Sequence, residues 1–180
     1  LNLDEYMFRD DVQYVDVRTL DDINQDGYIA GFQFIPFYSL IGSFLPQEAL
    51  FQMKNTTING TNISAGQIGG FVAQYEESES IIKRLFSKSK YIFIVSQAGS
   101  ESAYLINLLI QLGYDGNLLY NIGGVTGSPG ITAYKDIDNN SYYVEGIGNY
   151  KASAEYDVFD ELTLIIDWER KKIWKKFYAY

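Results

Sequence analysis

Neither cysteine nor histidine occurs among the 180 residues. The first absence removes disulfides, thiolate nucleophiles and cysteine-ligated metals together. The second removes the side chain that most often serves as general base near neutral pH. Positive charge is also in short supply: 14 Lys and Arg against 23 Asp and Glu leave a formal charge of −9. A nucleic-acid partner calls for a basic stripe to neutralise phosphates, so none is expected. The cluster Arg170, Lys171, Lys172, Lys175 and Lys176 is broken by Ile173 and Trp174. It reads as a solvated face, with contact to an acidic partner or a lipid surface as the alternative. Long apolar runs are missing too. The stretch from Phe34 to Leu45 carries Pro36 and Gly42 and is too short to span a bilayer, so no transmembrane segment is expected.

What remains is enough for a core. Apolar residues make up 47% of the chain and charged residues 21%, which suits one globular domain with an elaboration. Leu1 rather than Met opens the chain. The compartment therefore stays open between the cytoplasm and an exported or lipid-anchored bacterial protein whose signal lay upstream.

Val12 to Val17 is β-branched and followed by a polar turn, which predicts a buried strand. Leu20 to Gln25 suits one or two helical turns with Thr19 as N-cap. Gly27 and Gly31 then interrupt the chain, and Phe34-Ile35 makes a short strand stopped by Pro36. Residues 38–75 are polar and turn-rich in their middle and read as an insertion, with room for short helices at its ends. Glu76 to Ser87 places Ile81, Ile82, Leu85 and Phe86 on one helical face. Tyr91 to Val95 is five apolar residues without alternation, as in a strand buried on both faces. Ser102 to Leu112 is a helix with Gly113 as its C′ residue, and Asn117 to Tyr120 is a strand ending at Gly123-Gly124. This order predicts an α/β fold with a parallel sheet covered on both faces by right-handed crossovers. Beyond residue 130, Ile131 to Val144 suggests a hairpin turning at Asp138-Asn139-Asn140. Val158 to Phe177 suggests a second hairpin, with a helix as the alternative.

Five landmarks fall in one order: Asp16-Val17-Arg18; Gly27-Tyr28-Ile29-Ala30-Gly31-Phe32 leading to Ile35-Pro36; a strand, loop and helix over residues 91–112; Leu109-Ile-Gln-Leu112-Gly113-Tyr114; and Gly123-Gly124. Together they resemble the rhodanese-like domain family over residues 12–124, outside the insertion. The resemblance implies a rhodanese-like domain over 1–130, with a parallel sheet flanked by helices. The insertion lies at about 38–75, and a β-rich extension over 131–180 packs on the domain.

In active members of that family the loop after the central strand begins with a cysteine that carries sulfur as a persulfide, in a pattern close to Cys-x-x-Gly-x-Arg-Ser. The corresponding segment here is Ser96-Gln97-Ala98-Gly99-Ser100-Glu101-Ser102. Its glycine and last serine are kept, while Ser96 replaces the cysteine and Glu101 the arginine. A serine hydroxyl does not ionise unaided and cannot form a persulfide. Glu101 places a carboxylate where a helix N-terminus favours an anion, so it would repel thiosulfate or phosphate and could fill the cradle itself. Asp16 and Arg18 are implied to support the loop.

Two other chemistries compete. A strand–serine–helix turn suggests a nucleophile elbow, but Ile94 stands where that motif needs glycine, and the base would have to be Lys88 or Lys90. Asp22, Asn24 and Asp26, with Gly27, fit the start of a calcium loop. The twelfth position is Gln33 instead of an acid, and Pro36 denies the following helix, so no metal and no cofactor are expected. Asp136, Asp138 and Asn140 read as turn residues. The expectation is a catalytically inactive rhodanese-like domain with a binding or structural role toward a protein or small molecule. The alternatives are a related sulfurtransferase-like enzyme using another nucleophile, and a surface-anchored bacterial binding protein.

Overall fold

The computed structural model describes residues 6, 8–26, 28–29, 31–124 and 143–144. From the N-terminus the elements are β1 (Val12–Asp16), α1 (Leu20–Asp26), β2 (Tyr28–Ile29) and β3 (Gln33–Phe34). A π-helical turn, Phe37–Ile41, leads to β4 (Gly42–Ser43), β5 (Phe51–Met53), β6 (Thr56–Ile58), β7 (Thr61–Ile63) and β8 (Phe71–Ala73). Then come α2 (Ser78–Leu85), β9 (Tyr91–Ser96), α3 (Ser100–Gln111), a 3₁₀ turn at Gly116–Leu118, β10 (Leu119–Gly124) and β11 (Tyr143–Val144).

The protein is mixed α/β, with a parallel sheet flanked by helices. Its strand order is β10–β9–β1–β3, and all three pairings are parallel. The register of β1 on β9 runs from Val12↔Tyr91 to Asp16↔Val95. Side chains alternate across this sheet as a pleat requires. Val15, Ile92 and Ile94 join Ile82, Leu105, Leu108 and Leu109 in the larger core. Val12, Tyr14, Phe93 and Val95 form a smaller cluster on the other face.

That second face departs from expectation. Among the described residues it is closed by Ile29, Phe32 and the partly buried Tyr6, with no helix in the cluster. The helix of the β1–β3 connection, α1, puts Ile23 into the larger core instead, so large side chains do the covering here.

Residues 38–75 also differ from the expected excursion. They form a three-stranded sheet, β4–β5–β8, and a hairpin, β6–β7. The one helical end is the π-helical turn; the far end is β8. The hairpin turns at Asn59-Gly60, both at positive φ (49° and 80°), a geometry that glycine and asparagine tolerate best. Leu40, Ile41, Leu50, Phe51, Met53 and Phe71 belong to the same core as Val15 and Leu105, so this segment is built into the domain.

The helices stand near their expected places. Thr19 caps α1 reciprocally: its Oγ1 accepts from Asp22 N at 3.1 Å, and Asp22 Oδ2 accepts from Thr19 N at 3.0 Å. At the end of α3, Tyr114 N donates to Leu109 O and Gly113 N to Ile110 O, both at 3.0 Å, closing the helix at Gly113. The strand expected from Asn117 begins two residues later. Asp115 accepts from Asn117 N at 2.9 Å and holds residues 116–118 in a 3₁₀ turn. Of the expected hairpin over 131–144, only Tyr143–Val144 is described, and it pairs antiparallel with β2. The expected hairpin over 158–177 lies outside the described residues.

Candidate functional site

Parallel strands bring their C-terminal ends to one edge, where α/β sheets commonly carry their sites. Here Asp16 pairs in register with Val95, one residue before Ser96, and Gly124 pairs with Ser96 itself. The loop between β9 and α3 therefore opens beside the ends of β1 and β10.

The local sequence explains the turn. Ser96 ends a strand buried along five of its six residues. Gly99 then takes φ of 88° as the N-cap of α3, a left-handed conformation that lets the chain reverse from strand into helix. Asn121 of β10 holds this turn from the side: its Nδ2 donates to Gly99 O at 2.8 Å, while its Oδ1 accepts from Gly123 N at 3.0 Å.

Ser96 is fully buried and turned into the loop. Its Oγ accepts from Gly99 N at 2.8 Å and lies 3.5 Å from Ser102 N. The hydroxyl oxygen thus occupies the space that the free N–H groups at the start of α3 would offer an anion. Ser102 is also fully buried, and its Oγ has no hydrogen-bond partner among the described residues.

Glu101 does not fill the cradle. Its carboxylate accepts from Ser100 Oγ at 3.0 Å, and Ser96 takes the loop donors in its place. The reason is direction: Ser96 comes from the strand beneath the helix, whereas Glu101 sits half-buried in the first helical turn. Glu101 is felt instead by Tyr38. Burial first, then the Glu101 charge and Tyr104, raise the Tyr38 hydroxyl above its usual pKa. Gln97 is half-buried, and Ala98 and Ser100 are exposed.

Asp16 and Arg18 form a buried pair, each 1% exposed. Arg18 Nη2 donates to Asp16 Oδ2 at 2.8 Å, Nε donates to the same carboxylate at 3.0 Å, and Arg18 N donates to Oδ1 at 3.1 Å. Both stand at the C-terminal end of β1, next to the end of β9.

The competing chemistries lose their geometry. Asp22 and Asn24 lie on α1, where two positions project about 200° apart, and Asp22 is engaged in the cap. Residues 22, 24 and 26 therefore do not form a calcium loop. Among the described residues, no three acidic side chains come together in a metal-binding group. Lys88 and Lys90 sit before β9, whose far end is Ser96, a strand length of about 20 Å. Lys88 donates instead to Leu112 O and Gly113 O at 3.4 Å. Neither amine serves Ser96 as a base. Asn121 escaped sequence reasoning, since a lone asparagine in a strand carries no signal until its register against β9 is known.

Sheet and loop define a class: an α/β domain whose strand-to-helix loop is closed by its own serine. Comparison with known proteins finds no matching family model, curated relative or solved structure. Among the described residues no helix is long and apolar enough to cross a membrane.

Proposed function

We propose that the chain is a catalytically inactive rhodanese-like domain that serves a binding or structural role. The observation carrying this reading is Ser96. In this reading it takes the place of the family's cysteine; it ends β9, and its oxygen is held by the Gly99 N–H and faces that of Ser102. A buried hydroxyl that accepts from the backbone, with no histidine in the chain and both candidate lysines at the opposite end of β9, has no route to an alkoxide. A persulfide needs a thiol, and the chain has none. Glu101 adds a negative charge to the first turn of α3, against any anionic sulfur donor.

Thiosulfate and cyanide supplied together test the reading. The purified protein is expected to form thiocyanate no faster than a protein-free control, and a protein-dependent rate would overturn inactivity. The double variant Ser96→Cys with Glu101→Arg tests the family assignment separately. It is expected to gain the mass of one sulfur atom on incubation with thiosulfate, reversibly with a thiol reductant. A folded double variant that takes up no sulfur counts against a rhodanese-like loop.

A further inference from the structure

Asn-Gly occurs once in the sequence, at Asn59-Gly60. The pair makes the whole turn of the β6–β7 hairpin, because Ile58 and Thr61 on either side already pair with each other. Both turn residues are exposed and both take positive φ. They stand outside the ladder, at the tip of an element whose strands are three residues each.

This tip joins three features that one reaction needs. The first is a free carboxamide. The Asn59 side chain makes no hydrogen bond among the described residues. Asn55, Asn62, Asn107, Asn117 and Asn121 all have theirs engaged. Asn24 lies inside α1 before Gln25, where the helix fixes the backbone. The second is an unshielded nucleophile. Gly60 carries no side chain beside its nitrogen, and a Cβ built there would meet nothing within 4 Å. The third is freedom to rotate, since Asn59 must turn before the Gly60 nitrogen can reach its side-chain carbonyl. So short a hairpin, with Ile58 beside the turn 47% exposed, opens at little cost.

We propose that Asn59 is a modification site, at which water converts the side-chain amide to a carboxylate through a succinimide. The Gly60 nitrogen loses its proton to solvent and attacks Asn59 Cγ. The N–Cγ bond forms, the Cγ–Nδ2 bond breaks, and the nitrogen leaves as ammonia. Water then opens the ring at either carbonyl, and no atom is oxidised or reduced. Opening at Cγ leaves aspartate. Opening at the backbone carbonyl leaves isoaspartate, in which the chain runs through the side chain and the turn gains one backbone carbon. Either product adds a negative charge to a chain of formal charge −9. Isoaspartate also ends the two-residue turn that sets the Ile58↔Thr61 register. This inference is independent of the Ser96 loop.

The full chain, kept folded in mildly alkaline buffer and sampled over days, tests it. Peptide mapping is expected to show Asn59 losing its amide several-fold faster than any other described asparagine. An isoaspartyl methyltransferase with labelled S-adenosylmethionine is expected to label the hairpin peptide of the aged protein. That label is expected to disappear in Asn59→Gln, whose longer side chain would have to close a larger ring. The proposal is overturned if Asn59 keeps its amide in the folded chain while losing it in urea, or if another described asparagine converts first. Label that persists on the hairpin peptide of Asn59→Gln overturns it as well, since Asn55 or Asn62 would then be the source.

Discussion

Asp16 and Arg18 are buried together at the head of the sheet as an ion pair. A carboxylate or guanidinium removed from water loses strong hydration, and the three contacts of the pair restore only part of it. Breaking the pair is therefore far costlier than replacing it. Asp16→Ala is expected to lower unfolding free energy by about 3–5 kcal/mol in a denaturant titration, because the buried Arg18 guanidinium loses this carboxylate. The double variant Asp16→Ala with Arg18→Met is expected to recover much of that loss. A single-variant loss below about 1 kcal/mol would mean that water replaces the lost partner. Ser96 shows the opposite economy of charge: a neutral oxygen answers the N–H groups of Gly99 and Ser102.

At the scale of elements, the inserted strands are fastened to α3 by amide side chains. Gln111 Oε1 accepts from Gly69 N at 2.8 Å and Phe71 N at 3.3 Å, and its Nε2 donates to Phe71 O at 2.8 Å. Asn107 Nδ2 adds a bond to Gly66 O at 2.9 Å. Gln111→Ala is expected to cost about 1–3 kcal/mol, since two N–H groups and a carbonyl lose their partner. The readout specific to this fastening is hydrogen exchange, expected to quicken at Gly69 and Phe71 while Ile92 and Ile94 keep their protection. Elements with their own period were legible beforehand. Ile81, Ile82 and Leu85 announce α2, the apolar run announces β9, and Gly113 announces the end of α3. β4, β5 and β8 were not legible, because strands of two or three residues are too short to show alternation. β6–β7 did carry a signal in Asn59-Gly60 between β-branched residues, masked by the surrounding asparagines and threonines. The position of the Ser96 loop was legible from strand and helix order. What fills it was not, since that depends on how far Ser96 sits beneath the first turn of α3.

For the molecule as a whole, alkaline stability depends on Tyr114. Its hydroxyl donates to Phe86 O at 2.8 Å, joining the segment after α3 to the end of α2. Burial pushes its pKa from 10.0 up to about 12. The unfolded chain then loses this proton near pH 10, whereas the folded one keeps it to about pH 12. Stability from this group is fully present below pH 10 and falls as pH rises through that window, by on the order of 2 kcal/mol. Tyr114→Phe is expected to be about 1 kcal/mol less stable near neutral pH and to lose less between pH 10 and 12. Equal slopes for the two proteins in urea titrations across that window would refute the assignment.

The pairing of β1 with β9 also governs how the protein acquires its shape. Val12 and Tyr91 are 79 positions apart, yet they open the central ladder of the sheet. During synthesis β1 emerges long before β9, so it waits with only β3 available beside it. The β6–β7 hairpin and α2 can form from local contacts in that interval, but β9 cannot join β1 until residue 96 has left the ribosome, and the sheet is complete only with β10 at residue 124. Pairing across so long a separation slows refolding relative to a helical bundle, whose contacts are local. Between those moments the nascent chain exposes an apolar strand, the period in which aggregation competes with folding.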